Sequence, residues 1–261
     1  MSGALAGRGI VITRPAGQTQ WLADLVKDAG GVPLCYPAIG IADIADENDV
    51  RALDRVIDQL EDFDLAIFVS PSAVDKAMLR ISARRTLPAN LHYAAIGPGG
   101  VQALHRHGIA DVIAPEARHD SEGLLSAPFM RNVRGKRMVI FRGDGGRELL
   151  ADTLAARGAL VEPVTCYRRV CPRWDAQPLL QDWSRGAVAA AIVTSSEGLQ
   201  NFCSLLGAPG MALLRATPLV VPHPRIVAAA RELGLQQVVE SASGDAAMMT
   251  ALVEHLSTAV P

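Results

Sequence analysis

One repeated segment constrains the fold of this chain more than any other feature of its sequence. The first copy runs from Gly7 to Ile41 and the second from Gly135 to Val170. Aligned without gaps, the copies share Gly, Val-Ile, Arg, Gly, Leu-Ala-Asp and Gly at matching positions. Each copy predicts a buried strand, a tight turn, an amphipathic helix ending at a glycine, and a second strand. The repeat is too long for a solenoid, so it indicates a duplicated domain.

Two further pairs of segments extend the duplication. Asp64–Asp75 resembles Ala189–Gln200, where an apolar strand runs into a serine-rich helix start. His92–Val112 parallels Pro218–Val238, and both predict a strand, a Pro-containing turn, a helix, a glycine and a strand. The middle of the chain therefore carries the five strands of one copy in permuted order, and the two ends share the strands of the other copy.

This order predicts a discontinuous first domain. We expect domain 1 to comprise residues 1–38 plus 169–261, and domain 2 to comprise 42–165. The two crossings between them, 37–41 and 165–169, are predicted to form a two-stranded linker.

The predicted fold class is α/β, with two similar flavodoxin-like domains. Each is expected to be an open, mostly parallel, five-stranded sheet with helices on both faces. Hydrophobic residues make up 49% of the chain and aromatic residues only 4%. Such an aliphatic core is typical of parallel sheets buried under helices.

The predicted ligand site follows from the fold class, because ligands of open α/β sheets bind beyond the carboxyl ends of the strands. Those ends coincide with helix starts, whose backbone N–H groups favour anions. Arg14 and Arg142 follow equivalent strands in the two copies. We therefore expect an anion-binding active site in the cleft between the domains.

Several classes of protein are disfavoured by composition. The formal net charge of −2 argues against wholesale nucleic-acid binding. No apolar run approaches the ~18 residues of a membrane span, and no signal peptide is visible, so we expect a cytoplasmic protein. The four cysteines lack metal-ligand spacing and are expected to be buried, reduced thiols, with no metal bound.

A glycine-rich stretch with Gly143, Gly145 and Gly146 follows a predicted strand and precedes a helix. It fits neither GxxxxGK[ST] nor GxGxxG, so a tight turn is favoured over a nucleotide-binding loop. Tyr167 lies in a Thr-Cys-Tyr-Arg-Arg segment at the return crossing. It is expected either to pack the linker or to present a hydrogen-bonding phenol to a ligand, outside both sheets.

Taken together, the motifs resemble those of the uroporphyrinogen-III synthase family over nearly the whole chain. The resemblance depends on their joint order: VITRPAGQ at Val11–Gln18, FVSPSAV at Phe68–Val74, AIGPGGVQAL at Ala95–Leu104, SEGLL at Ser121–Leu125, FRGDGGRELLADTLAARGA at Phe141–Ala159, YRR at Tyr167–Arg169 and VTSSEGL at Val193–Leu199.

The resemblance implies an enzyme that cyclises hydroxymethylbilane, a linear tetrapyrrole with eight carboxylates. Water is lost and the terminal pyrrole ring is inverted through a spirocyclic intermediate, without metal or organic cofactor. It also implies a catalytic role for Tyr167 and a monomeric protein with no nucleic-acid or membrane partner. Substrate binding is expected from residues at the strand ends of the two copies: Arg14, Ser70, Gly97, Gly99, Gly100, Ser121, Arg142, Gly143, Ser195, Ser196 and His223.

The sequence departs from the family pattern at two turns. Family members usually carry Thr at the position of Gly100, and a Ser/Thr-rich turn where this chain has Pro222-His223-Pro224-Arg225. His223 is expected either to replace a hydroxyl donor or to add positive charge.

Two alternative functions remain at this point. One is a non-enzymatic, two-lobed small-molecule binding protein, although binders of that shape are exported. The other is a flavin protein, because the sheet topology is that of flavodoxin.

Overall fold

The computed structural model describes residues 3–116, 118–145 and 148–258. The chain divides into two compact units. Unit 1 comprises Met1–Gly40 and Val170–Pro261, and unit 2 comprises Ile41–Arg169.

The strands and helices alternate along most of the chain. The strands are β1 Gly9–Ile12, β2 Val32–Cys35, β3 Gly40–Ala42, β4 Leu65–Phe68, β5 His92–Ala95, β6 Val112–Ile113, β7 Arg137–Gly143, β8 Leu160–Val170, β9 Val188–Ile192, β10 Leu219–Val221 and β11 Val238–Glu240. The helices are α1 Gln20–Asp28, α2 Glu47–Asp58, α3 Pro71–Ser82, α4 Pro98–Arg106, α5 Ser121–Ser126, α6 Leu149–Ala156, α7 Gln177–Ser184, α8 Ser196–Arg215, α9 Pro224–Glu232 and α10 Asp245–Thr258. Helix α8 is kinked at Gly207, whose φ of 61° is left-handed.

The two sheets share one strand order. In unit 1 the order is β11-β10-β9-β1-β2, with parallel neighbours throughout. In unit 2 it is β3-β8-β7-β4-β5-β6, and the pairs from β8 to β6 are parallel. Counting β1 and β7 as the first strand of each copy gives the order 2-1-3-4-5 in both, which is that of flavodoxin-like folds. The predicted fold class is confirmed.

Residue burial explains why the sheets are covered on both faces. All four residues of β1 are buried. Ile10 and Ile12 pack in a cluster with α1 and α10, whereas Val11 packs in the cluster formed with α7, α8 and α9. Successive strand side chains point to opposite faces, so both faces need apolar side chains and helices over them.

Unit 2 differs from the predicted five-stranded sheet. Strand β3 lies beside β8 as a sixth strand, and β8 is paired with β7 as far as Tyr167. The expectation that Tyr167 lies outside both sheets is therefore wrong. The strand continues past Pro163 to Val170.

The thiols also differ from expectation. Cys166 and Cys203 are buried, but Cys35 and Cys171 are exposed, and all four are free. Among the described residues, none of the helices combines the length and apolar character needed to span a bilayer.

Candidate active site

Two serines begin equivalent helices at the carboxyl ends of β4 and β9. Ser70 Oγ accepts a hydrogen bond from Ala73 N at 3.1 Å, and Ser195 Oγ accepts one from Gly198 N at 3.0 Å. Both residues are extended N-caps, the conformation in which a serine hydroxyl satisfies a free helix N–H group. The sequence motifs thus place a hydroxyl at the same edge of each sheet.

Ser70 has a second partner that lies far away in the sequence. Its Oγ is 3.0 Å from Tyr167 Oη, and either oxygen can be the donor. The Tyr167 side chain belongs to the core of unit 2, and the residue is only 2% exposed. The phenol is therefore held inside the unit, and Ser70, which is half-buried, is the more accessible member of the pair.

Gly143 makes room for the tyrosine ring. It is the register partner of Tyr167, next to a bulge in the ladder. A Cβ atom at Gly143 would lie 2.7 Å from Cε2 and Cζ of the ring and 3.0 Å from Oη. Any side chain at this position would displace the phenol, so Gly143 is required for the Ser70–Tyr167 contact.

The turn after β7 is fastened to the end of β8. Asp144 N donates to Tyr167 O at 3.0 Å, and Asp144 Oδ1 accepts from Arg169 N at 2.8 Å. Gly145 has φ +68°, which is consistent with the predicted tight turn. Gly146, the third glycine of that motif, lies outside the described residues.

Arg142 and Ser121 meet at a cavity of about 190 Å³ in unit 2. Gly143 and Arg169 also line it. Arg142 Nη1 donates to Glu148 Oε1 at 2.8 Å, in an ion pair whose carboxylate side chain is 54% exposed. Ser121 does not cap its helix, because Asp120 accepts from Gly123 N in that role. The structure therefore brings three of the expected residues of unit 2 to one cavity.

The Gly-Pro-Gly-Gly turn begins α4 beside the start of α3. Gly97 is the extended N-cap, and a Cβ at Gly99 would lie 3.0 Å from Pro71 Cγ. Gly100 is buried, and a Cβ at this position would lie only 3.0 Å from Ala95 Cβ. The threonine usual in the family at this position would be crowded here, so the glycine fits the local packing.

In unit 1, Arg14 is matched by a carboxylate. Its two terminal nitrogens contact the two carboxylate oxygens of Asp245, at 2.6 and 3.0 Å. The side chains are 21% and 12% exposed. Such a two-pronged pair fixes the turn after β1 to the first residue of α10.

The remaining expected residues of unit 1 lie at helix starts. Ser196 begins α8, and among the described side chains its buried Oγ is without a hydrogen-bond partner. His223 caps α9, and its Nδ1 accepts from Arg225 N at 3.0 Å. An Nδ1 atom that accepts a hydrogen bond carries no proton. The imidazole therefore accepts the helix N–H bond that a serine or threonine hydroxyl would accept as N-cap.

A buried thiol adjoins the Ser70–Tyr167 pair along β8. Cys166 Sγ donates to Arg142 O at 3.3 Å, and burial raises the pKa of the thiol to about 12. It therefore stays protonated at neutral pH and is not a nucleophile. Within the described ranges, no group of three or more His, Cys, Asp or Glu side chains is placed to hold a metal ion.

Three residues of these arrangements were not among the expected site residues. Asp245 and Asp144 fix the two arginine-containing turns, and Arg169 lines the cavity. Arg169 was visible as the second arginine of the YRR motif, and the predicted strand order places Asp245 at the same sheet edge as Arg14 without predicting their ion pair.

Comparison with known proteins gives the family of the chain. The family model for uroporphyrinogen-III synthase HemD matches residues 20–251. The uroporphyrinogen-III synthase of Salmonella typhimurium is 36% identical over 91% of this chain and 97% of its own length. That of Escherichia coli is 35% identical, with the same coverage of both chains.

Solved structures share the fold at lower identity. A mutant uroporphyrinogen III synthase from Thermus thermophilus has a TM-score of 0.57 at 19% identity, covering 97% of this chain and 100% of its own. Uroporphyrinogen-III synthetase from Helicobacter pylori has a TM-score of 0.55 at 16% identity, covering 96% and 99%. The family-model match and the two bacterial relatives show that this chain belongs to the uroporphyrinogen-III synthase family.

Proposed function

We propose that this chain cyclises hydroxymethylbilane to uroporphyrinogen III in heme biosynthesis, through a site built on the Ser70–Tyr167 hydroxyl pair. Family membership supports the reaction. The observation that supports this site is the 3.0 Å contact between Ser70 Oγ and Tyr167 Oη at the carboxyl end of β4.

The chemistry begins with departure of the terminal hydroxyl group. The C–O bond breaks, its electron pair leaves with the oxygen, and the oxygen takes up a proton to depart as water. Ring closure later releases a proton from the pyrrole carbon that is attacked, so the reaction consumes no net proton. A hydrogen-bond donor at the departing oxygen lowers the barrier to the first step.

The hydroxyl pair supplies this donor in our proposal. Ser70 Oγ accepts from Ala73 N. Of the two directions open to the Ser70–Tyr167 contact, we assign the phenol as the donor, which leaves the serine proton as the one directed to the substrate. Because Tyr167 is buried, it acts through Ser70 rather than on the substrate directly. Tyr167 is thus assigned as a positioning and proton-relay residue, a refinement of the catalytic role expected from sequence.

Substrate binding is assigned to the helix starts at the strand ends of both units. Eight carboxylates need many distributed donors, which backbone N–H groups at N-termini and arginines provide. We assign Gly97, Gly99, Gly100, Ser121, Arg142 and Gly143 of unit 2, and Arg14, Ser195, Ser196 and His223 of unit 1. The Asp245 pairing makes Arg14 chiefly a brace for its turn.

The same proposal covers the state of the protein. We infer a monomeric, cytoplasmic enzyme that acts on a small anionic substrate without a cofactor. The formal net charge of −2 supports this over a nucleic-acid partner.

The decisive experiment supplies freshly prepared hydroxymethylbilane under anaerobic conditions and separates the oxidised products by chromatography. We expect the type III isomer, with the type I isomer in a protein-free control. Formation of type I alone, at the protein-free rate, would overturn the proposal and favour a binding protein.

A further inference from the structure

Unit 2 has a second and larger cavity at the amino ends of β5 and β6. Its volume is about 510 Å³, and it is lined by residues of the segments 87–93 and 108–111, which lead into these two strands. Strands β4 and β5 are parallel, so this end of the sheet is opposite to the one at which Ser70 follows β4. The volume is within the ≈ 300–1,000 Å³ of small-molecule sites. The cavity is therefore large enough for a ligand and separate from the proposed catalytic residues.

The duplication supplies an internal comparison for this cavity. The strand pairs β5–β6 and β10–β11 have the same register in the aligned repeat. Extending that alignment to the segments before the strands matches three positions of the two units: Ala89 with Arg215, Gly108 with Gly234, and Asp111 with Gln237.

Side chains cover the equivalent region in unit 1. A Cβ atom built on Gly234 would lie 3.6 Å from Nε of Arg215 and 3.9 Å from its Nη2. Gln237 Nε2 donates to Ala216 O at 3.2 Å, which joins the segments that lead into β10 and β11. Unit 1 therefore fills this region with a guanidinium group and a carboxamide of its own.

Unit 2 lacks both of these groups. Ala89 stands at the position of Arg215, and a Cβ atom built on Gly108 would meet nothing within 4 Å. Asp111 stands at the position of Gln237, and a carboxylate has no proton to donate across the gap. Among the described residues, the Asp111 carboxylate makes neither a hydrogen bond nor an ion pair. A hydrogen-bond acceptor thus borders the space that the arginine covers in the other copy.

The rest of the lining selects the charge of a ligand. Asp111 is the acidic residue of the lining, and the residues described as forming it include neither Lys nor Arg. Leu87, Leu91 and Ile109 contribute apolar surface. A carboxylate beside an apolar wall favours an organic cation and disfavours a molecule with many carboxylates. The chemistry of this cavity is therefore opposite to that of the anion site assigned above.

We propose that this cavity is a second ligand site, for a small organic cation that carries a guanidinium group on an apolar body. The guanidinium group takes the place that Arg215 has in unit 1 and donates hydrogen bonds to the Asp111 carboxylate. The apolar body contacts Leu87, Leu91 and Ile109. This site does not depend on the proposed function.

The first test is an NMR titration with 2-phenylethylguanidinium, and with 2-phenylethylurea as a neutral probe of similar shape. We expect saturable shifts of the backbone amides at 108–111, with a Kd about five-fold lower for the guanidinium probe, because the charge pair is partly exposed. Asp111→Asn should remove this preference. Glu116→Gln is the matched control, since it removes an acidic charge of unit 2 outside the lining. Equal affinities of the wild type for the two probes would overturn the proposal.

A second variant gives unit 2 the arginine of unit 1. Ala89 is exposed, so Ala89→Arg leaves the core intact. Its guanidinium group should occupy the cavity, pair with Asp111 and raise the Kd of the guanidinium probe about ten-fold or more. Ala83→Arg adds the same charge outside the lining and should bind like the wild type. Unchanged probe binding in folded Ala89→Arg would contradict the site, whatever the result for Asp111→Asn.

A third titration identifies the source of the guanidinium group. The tripeptide acetyl-Gly-Arg-Gly-amide represents an arginine of a partner protein, and it should bind more weakly because it lacks the apolar body. Tighter binding of the tripeptide than of 2-phenylethylguanidinium would overturn the assignment to a small molecule. Failure of the protein to cyclise hydroxymethylbilane would refute the proposed function and leave these titrations unaffected.

Discussion

The two copies of the fold use the same serine differently. Ser70 and Ser195 occupy equivalent positions, and each caps its helix through one backbone N–H group. In unit 2 the Ser70 hydroxyl also meets the phenol of Tyr167. The gapless alignment of the repeat places Ile39 opposite Tyr167, and Ile39 Cδ1 lies 3.7 Å from a Cβ built on Gly198, beside the Ser195 cap. One copy therefore has a hydroxyl pair where the other has an aliphatic contact.

The equivalent arginines diverge in a similar way. Arg14 is engaged by both oxygens of Asp245 in a largely buried pair. Arg142 makes one contact with the more exposed Glu148 and lines a cavity. Both copies keep the serine N-cap and the arginine-containing turn. We assign catalysis to unit 2, because the Ser70–Tyr167 hydroxyl pair occurs there.

The largest expected effect comes from removing the phenol hydroxyl. Tyr167→Phe should lower kcat roughly 10²-fold, because Ser70, the proposed donor to the leaving oxygen, loses its hydrogen bond from the phenol. Tyr93→Phe is the matched control, since Tyr93 lies in the same core cluster but not at the site. Turnover of both variants, with thermal unfolding as a check on folding, tests this. If Tyr167→Phe turns over like the wild type, the hydroxyl pair has no catalytic role.

A smaller effect should follow from displacing the ring without changing it. Gly143→Ala places a methyl group 2.7 Å from the phenol ring, so the ring must move away from Ser70. We expect kcat to fall about ten-fold, with a stability loss of roughly 1–3 kcal/mol from overpacking. Gly17→Ala, where a Cβ meets nothing within 4 Å, serves as the control. A normal kcat in folded Gly143→Ala would show that the placement of the ring is unimportant.

Substitution of the two equivalent arginines should affect different quantities: the free energy of unfolding for Arg14, and KM for Arg142. Arg14→Gln leaves Asp245 unpaired and should lower the free energy of unfolding by about 1–3 kcal/mol, or Tm by a few degrees. Arg142→Gln breaks a more exposed ion pair and should cost less than about 1 kcal/mol, while raising KM. Calorimetry and steady-state kinetics on both variants test the contrast. Equal losses of stability would mean that the two turns are braced alike.

The smallest expected effect is on the pH dependence of thermal stability. A hydrogen bond from Arg80 to Asp54 in unit 2 lowers the pKa of that carboxyl group. A depressed folded-state pKa stabilises the fold above the unfolded value of about 3.9 and loses that stabilisation as pH falls through the folded value. Asp54→Asn should therefore lower Tm at pH 7, and its difference from the wild type should shrink as the pH falls below about 4. A Tm difference that stays constant with pH would contradict this assignment.

Local signals account for what the sequence could predict. The strand-turn-helix pattern of the repeat fixed the fold class, and the serine caps were visible because donor and acceptor lie three residues apart. The Ser70–Tyr167 pair spans 97 positions and depends on strand register, and the Arg14–Asp245 pair spans 231. Neither follows from local spacing. The place of Tyr167 in the sheet was missed for the same reason, because it depends on the register between β7 and β8.

The discontinuity of unit 1 has a consequence for synthesis of the chain. Strand β1 is buried along its whole length and lies between β2 and β9 in the finished sheet. The Thr13 hydroxyl, next to the end of β1, donates a hydrogen bond to Ile192 O, which lies 179 positions further along the chain. At about 5–20 residues per second, the ribosome needs roughly 10–35 s to deliver that partner. Throughout that interval one edge of an apolar strand has no native neighbour, so the nascent chain is exposed to aggregation at this strand for longer than a domain that is continuous in sequence.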